Sequence, residues 1–130
     1  MEKDGYVSLW VGNIESEEDF SEYMKIIYND DGDAVSSMFS NDFQINIDDF
    51  DEDFIECIFS KNKTQSLIKI IKNCSYEDTI LLEYKKIMRD IFSEKINVAV
   101  LLYNFQYNGQ IVAINRNHHY FKFIGAVRYI

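Results

Sequence analysis

The sequence predicts an α+β fold: a mainly antiparallel sheet with helices packed on one face, closed by a C-terminal three-strand meander. Three observations lead there. Residues 6–12 (YVSLWVG) and 96–105 (INVAVLLYNF) are strand-length apolar runs rich in β-branched and aromatic side chains. Between them, segments 16–28 and 75–92 repeat apolar residues at helical spacing. After the second run, Asn108-Gly109 has the chemistry of a tight primed turn and is followed by further β-rich stretches. A chain of 130 residues fits one domain, covering 1–130.

Taken in order, residues 6–12 are apolar on both sides except at Ser8, which places this strand inside the sheet. Ser16 suits a helix N-cap with Asp19 three residues on, and Phe20, Tyr23, Met24 and Ile27 form the buried stripe of a helix over 16–28. The run Asn29-Asp30-Asp31-Gly32-Asp33 then forces a turn. A short helix opened by Ser36 or Ser37 fits residues 36–42, and FIECIF at 54–59 reads as a strand. Leu67, Ile70, Ile71 and Cys74 suggest a helix over 64–73. Ser75 with Asp78 caps a longer helix to Phe92, burying Ile80, Tyr84, Ile87, Met88 and Ile91. Residues 96–105 form a strand, 110–115 return as its hairpin partner, and 120–129 make the last strand after the loop holding His118 and His119.

Composition narrows the function classes. Hydrophobic residues make up 47% and aromatics 15%, which excludes disorder despite a net charge of −9. No apolar run reaches the roughly 18 residues of a membrane span. The N-terminal sequence lacks a signal-peptide layout, so a cytoplasmic protein is expected. An acidic chain is a poor match for phosphate backbones, so nucleic acid is not an expected partner.

Charge is distributed unevenly. Residues 1–56 hold 17 acidic side chains against two basic ones, a net of −15, whereas 57–130 hold five against eleven, a net of +6. Acids that merely cap and solvate helices would give this pattern, and so would a negative face that recognises a basic partner.

Catalytic and metal chemistry find no pattern. Cys57 and Cys74 lie in apolar segments and read as small core residues, without a C-x-x-C or an expected disulfide. His118 and His119 are neighbours in a loop, so their side chains diverge. Asn29, Asp31 and Asp33 have the spacing of the first EF-hand ligands, but Ala34 and Ser40 stand where glycine and glutamate are required. Asp49, Asp51 and Asp53 fail in the same way at Phe54 and Ser60. No phosphate-cradling or nucleophile-elbow motif occurs. No enzyme activity, metal or cofactor is therefore expected. Trp10, the only tryptophan, reads as a core anchor, with a partner-facing role as the alternative.

The motifs in order resemble a known family. Val7-Ser8-Leu9-Trp10-Val11-Gly12-Asn13, followed by an acidic helix with Phe20 and Tyr23, resembles the opening of the bacterial immunity protein 22 family. Asp31-Gly32-Asp33 with Ser37 and Phe39, then Asp51-Glu52-Asp53-Phe54-Ile55-Glu56, is similar to its acidic middle. Tyr103-Asn104-Phe105, Asn108-Gly109 and Phe121-Lys122-Phe123-Ile124-Gly125 are similar to its C-terminal part. The resemblance implies an immunity protein of a polymorphic toxin system, which blocks a cognate toxin by binding it. It carries over no catalytic residues. Joined to the charge asymmetry, it suggests a toxin-facing surface made of Glu17, Glu18, Glu22, Asp48, Asp49, Asp51, Glu52, Asp53 and Glu56. On a competing reading, Glu56 and some acids of 48–53 brace the fold instead. A small acidic adaptor or regulator of another basic protein, including a nucleic-acid mimic, is the alternative function.

Overall fold

The computed structural model describes all 130 residues. Two long strands form its centre, β1 (Glu2–Ile14) and β5 (Ile91–Phe105). They pair antiparallel with Val7 opposite Tyr103, Leu9 opposite Leu101 and Val11 opposite Ala99. Because side chains alternate across a strand, these pairs point to one face while Trp10, Val98, Val100 and Leu102 point to the other. Both faces are apolar, so both must be covered.

Helices therefore pack on both sides of the sheet. On the first face, α3 (Leu67–Ile70) and α4 (Glu77–Ile87) contribute Leu67, Ile70, Ile80 and Tyr84. On the second, α1 (Glu17–Met24) and α2 (Met38–Asp42) contribute Phe20, Tyr23 and Phe39. The α+β class with a mainly antiparallel sheet holds, while the expectation of helices on one face is corrected. The apolar run at 6–12 already carried the reason, since a strand buried on both sides needs two covers.

The five-stranded sheet runs β4-β5-β1-β7-β6, with β4 (Ile55–Ser66), β6 (Ala113–Asn115) and β7 (His119–Arg128). The last three strands are not a contiguous meander, because β1 lies between β5 and β7. Nor does Asn108-Gly109 turn residues 110–115 back onto β5; β6 pairs with β7. Both edges of β5 are already taken by β4 and β1. The chain after β5 is instead held over the second face by Ser8, whose buried hydroxyl donates to Phe105 O at 2.8 Å and accepts from Tyr107 N at 3.0 Å. Tyr107 continues the tether by donating to Phe43 O at 2.7 Å.

Boundaries shift where side chains offer the backbone another partner. Helix α1 is capped by Ser16 as expected but ends at Met24. Residues Ile27–Tyr28 form a short strand, β2, paired with β3 (Ala34–Ser36), which leaves Ile27 exposed rather than buried. The hairpin is set by Asn29, whose side-chain oxygen accepts from the N–H groups of Asp31 and Asp33. Helix α2 opens on a reciprocal Ser37–Ser40 capping box. Strand β4 extends to Ser66 and takes the start of the helix expected over 64–73. Helix α4 begins after Tyr76, not Ser75, and stops at Ile87. Ile91 and Phe92 belong to β5, because Asp90 turns the chain to accept from Ser66 Oγ and Ile68 N at the start of α3. Cys74 is buried as expected, whereas Cys57 is exposed on edge strand β4, and both are free thiols.

Candidate functional site

Three of the four acids of α1 sit at its start for a local reason. Glu17, Glu18 and Asp19 occupy the first turn, where unpaired N–H groups favour negative charge. Glu17, Glu18 and Glu22 are all exposed. The second acidic group lies on two single-turn 3₁₀ helices, Ile47–Asp49 and Glu52–Phe54. Asn46 caps the first by accepting from Asp48 N, and Asp51 caps the second by accepting from Asp53 N. Phe50 anchors the segment edge-to-face on Phe105 at 6.2 Å. Asp48, Asp49, Asp51, Glu52 and Asp53 stay exposed around that anchor.

Both groups sit over the second face of the sheet, where Phe20, Tyr23 and Phe50 join the core cluster around Trp10. The β2–β3 hairpin, with exposed Asp30, Asp31 and Asp33 at its turn, is tied to the 3₁₀ segment by the Tyr28 hydroxyl, which donates to Glu52 at 2.9 Å. The ion pairs of the protein are Lys86–Glu83, Arg116–Asp42 and His118–Glu15, and none uses the predicted acids. Eight of the nine are thus exposed and take part in no ion pair.

Glu56 stands apart. It follows the first residue of β4 opposite Leu101, so it points to the first face. Half-buried there, it accepts from the Tyr103 hydroxyl at 2.7 Å and from Ser75 N at 3.1 Å. This carboxylate braces the entry to α4 against β5, and Asp51 is similarly engaged as a cap. Glu52 is engaged as well, by the Tyr28 hydroxyl, while the remaining six acids make no side-chain hydrogen bond.

A cleft opens beside Glu56, with a volume of about 340 Å³ and walls from Asp53, Phe54, Tyr76, Tyr103 and Tyr129. The three tyrosines come from the start of α4, from β5 and from beyond β7. Their ring centroids are 4.9 Å apart for Tyr76–Tyr129 and 5.0 Å for Tyr103–Tyr129. Sequence spacing did not reveal this group, since only the sheet order brings the three segments together. The single local signal is Glu56, a lone acid in an otherwise apolar strand start.

The histidines do diverge. His118 Nδ1 lies 3.0 Å from Glu15 Oε1, while the His119 ring packs on Tyr23 at 4.7 Å. Burial pushes the His119 pKa below its ordinary value. Tyr23 donates to Asp42 at 3.0 Å, and Arg116 donates to the other oxygen of that carboxylate at 2.8 Å. No three His, Cys, Asp or Glu side chains are gathered to hold a metal ion. No helix is long and apolar enough to cross a membrane.

The sheet is braced on both faces and presents unpaired acids outside its core. Residues 7–129 match the family described as Immunity protein 22, and the chain belongs to that family. The match runs from within β1 to beyond the end of β7. No curated protein and no solved structure gives a match.

Proposed function

We propose that this immunity-family protein binds and neutralises a cognate bacterial polymorphic toxin, in the cytoplasm of the cell that makes both, through its acidic surface. It acts as a stoichiometric inhibitor and not as an enzyme. The observation that supports this reading most directly is the set of exposed acids on α1 and the 3₁₀ segment that no lysine or arginine of the chain neutralises. A basic toxin, such as a nuclease with a phosphate-binding cleft, would supply the missing charge. Complementary fields of this kind act chiefly on the rate of association and are weakened by salt. That suits an inhibitor that must capture its target before damage is done.

The test is a fourfold variant, Glu18→Lys, Glu22→Lys, Asp48→Lys and Asp49→Lys, which spares the braces Asp51 and Glu56. Binding to the toxin encoded beside this gene is measured by stopped flow at several salt concentrations. Association should slow by about tenfold or more at low salt, with a shallower salt dependence. Tm should be nearly unchanged, because all four side chains are exposed. A variant that binds and protects like the wild type would overturn the surface. A wild-type protein that ignores the toxin but captures another basic protein would support the adaptor reading.

A further inference from the structure

We propose that the cleft between Phe54 and Tyr76 receives a lysine or arginine side chain of the partner toxin, a statement that rests on the function proposed above. The cleft holds a carboxylate that no cation of the chain pairs. Glu56, half-buried at its base, accepts only from neutral donors, the Tyr103 hydroxyl and Ser75 N–H, and takes part in no ion pair. A carboxylate so placed can form a charge-assisted hydrogen bond with a cation brought to it. Its negative field is felt nearby: burial first, then the charge of Glu56, pushes the Cys74 thiol up to about 12.

The walls have the chemistry to hold such a cation. Tyr76 is 55% exposed and Phe54 46%, so both rings face solvent at the mouth. Tyr129 packs behind Tyr76, while Tyr103 links the aromatic wall to the carboxylate. Aromatic faces attract ammonium and guanidinium groups, and a planar guanidinium can stack on a ring while donating to a carboxylate. A volume of about 340 Å³ admits a long side chain, and no lysine or arginine of this chain lines it. Asp53, at the rim, also closes the acidic 3₁₀ segment, so the cleft continues the charged surface around the edge of the sheet.

The backbone fixes where the Tyr76 ring stands. Tyr76 has φ 59 and ψ 33, left-handed values that favour glycine or asparagine, and it occupies the N-cap of α4 without a side-chain cap bond. The ring is held in this conformation by packing on Tyr129 at 4.9 Å and Tyr103 at 6.2 Å, which fixes it as one wall of the cleft.

Two substitutions separate contact from scaffold. Glu56→Gln removes the charge but keeps an oxygen to accept from Tyr103 and Ser75, and Tyr76→Asn removes the ring but tolerates the left-handed backbone. The first measurement titrates N-acetyl-arginine amide against the protein and follows the tyrosine ring signals by NMR, with N-acetyl-norleucine amide as the neutral control. Saturable shifts at Tyr76 and Tyr103 with the cationic probe alone, lost in both variants, are expected. Equal shifts with the neutral probe, or none with either, overturn the proposal.

The second measurement is toxin affinity. Each variant should weaken it by about tenfold, within the range for a desolvated cation–aromatic or charged contact, while both stay folded: Glu56→Gln keeps an acceptor for Tyr103 and Ser75, and Tyr76→Asn trades ring packing on Tyr129 for an easier backbone, so Tm moves by only a few degrees. If both variants bind toxin like wild type while the fourfold acidic variant does not, the cleft assignment is wrong and the acidic surface stands. A wild-type protein that takes the arginine probe but ignores the toxin refutes the toxin as occupant, together with the function it rests on.

Discussion

A methyl group added at Gly12 has no space to occupy. An ideal Cβ there would lie 2.3 Å from the Tyr120 carbonyl oxygen and 2.9 Å from Phe121 Cδ1. The nearest atom is backbone, so no rotamer change relieves the contact. Nor can β1 swing away, because Gly12 is paired on both sides, opposite Val98 in β5 and Phe121 in β7. One strand must move, and the ladder between β1 and β7 is disturbed where it covers the aromatic cluster of the second face. Overpacking in a well-packed core costs about 1–3 kcal/mol, and a backbone clash belongs at the upper end. At about 3–4 °C per kcal/mol for a chain of this size, Gly12→Ala should lower Tm by about 10 °C. Calorimetry with a urea titration checks both the shift and an unchanged m-value. A Tm within about 2 °C of wild type would refute the reasoning. Gly32→Ala is the companion measurement, since Gly32 has φ +84 but nothing within 4 Å of an added Cβ. It should lose only the backbone strain, about 1–2 kcal/mol, which separates lack of space from unfavourable conformation.

Three further outcomes follow from buried polar groups. Asn97→Ala should cost about 2–3 kcal/mol in urea unfolding, because the Asn97 amide accepts from Ile14 N at 3.0 Å and donates to Ile14 O at 2.8 Å. Tyr84→Phe should cost about 1–2 kcal/mol, since the buried hydroxyl lies 2.8 Å from Gly125 O and 3.2 Å from Val7 O. His119, whose pKa burial lowers from 6.5, binds protons less readily when folded, so its contribution is complete above about pH 7 and is lost as pH falls below 6.5. His119→Phe should therefore narrow the stability difference between pH 7.5 and 5.5, and an unchanged difference would remove His119 as its source.

The elements most legible in the sequence were those whose signals are local. Ser16 and Ser37 cap α1 and α2, Asn29 sets the turn it announced, and the two long apolar runs became β1 and β5. Strand order was not legible, because it depends on which edge is free when a segment arrives. Asn108-Gly109 has good hairpin chemistry, yet β5 had no edge left to pair with 110–115. Helix periodicity overran at Ile27 and Ile91 for a related reason, since a paired hairpin and the Asp90 bonds to α3 supplied better partners for the backbone. Among the candidate site residues, exposure separates the eight acids of α1 and the 3₁₀ segment from Glu56. Strand parity decided Glu56: one residue after Ile55 in β4, it turns to the opposite face, and no charge count contains that information.

The position of β1 also has a consequence for synthesis. Its two neighbours, β5 and β7, both lie far from it along the sequence. During synthesis β1 therefore stays without its sheet partners until β5 and β7, far along the sequence, have been made. Contacts this distant in sequence also make for slow folding. The interval before β5 and β7 appear is a period of exposure for the half-made protein, whose apolar strand is open to aggregation meanwhile.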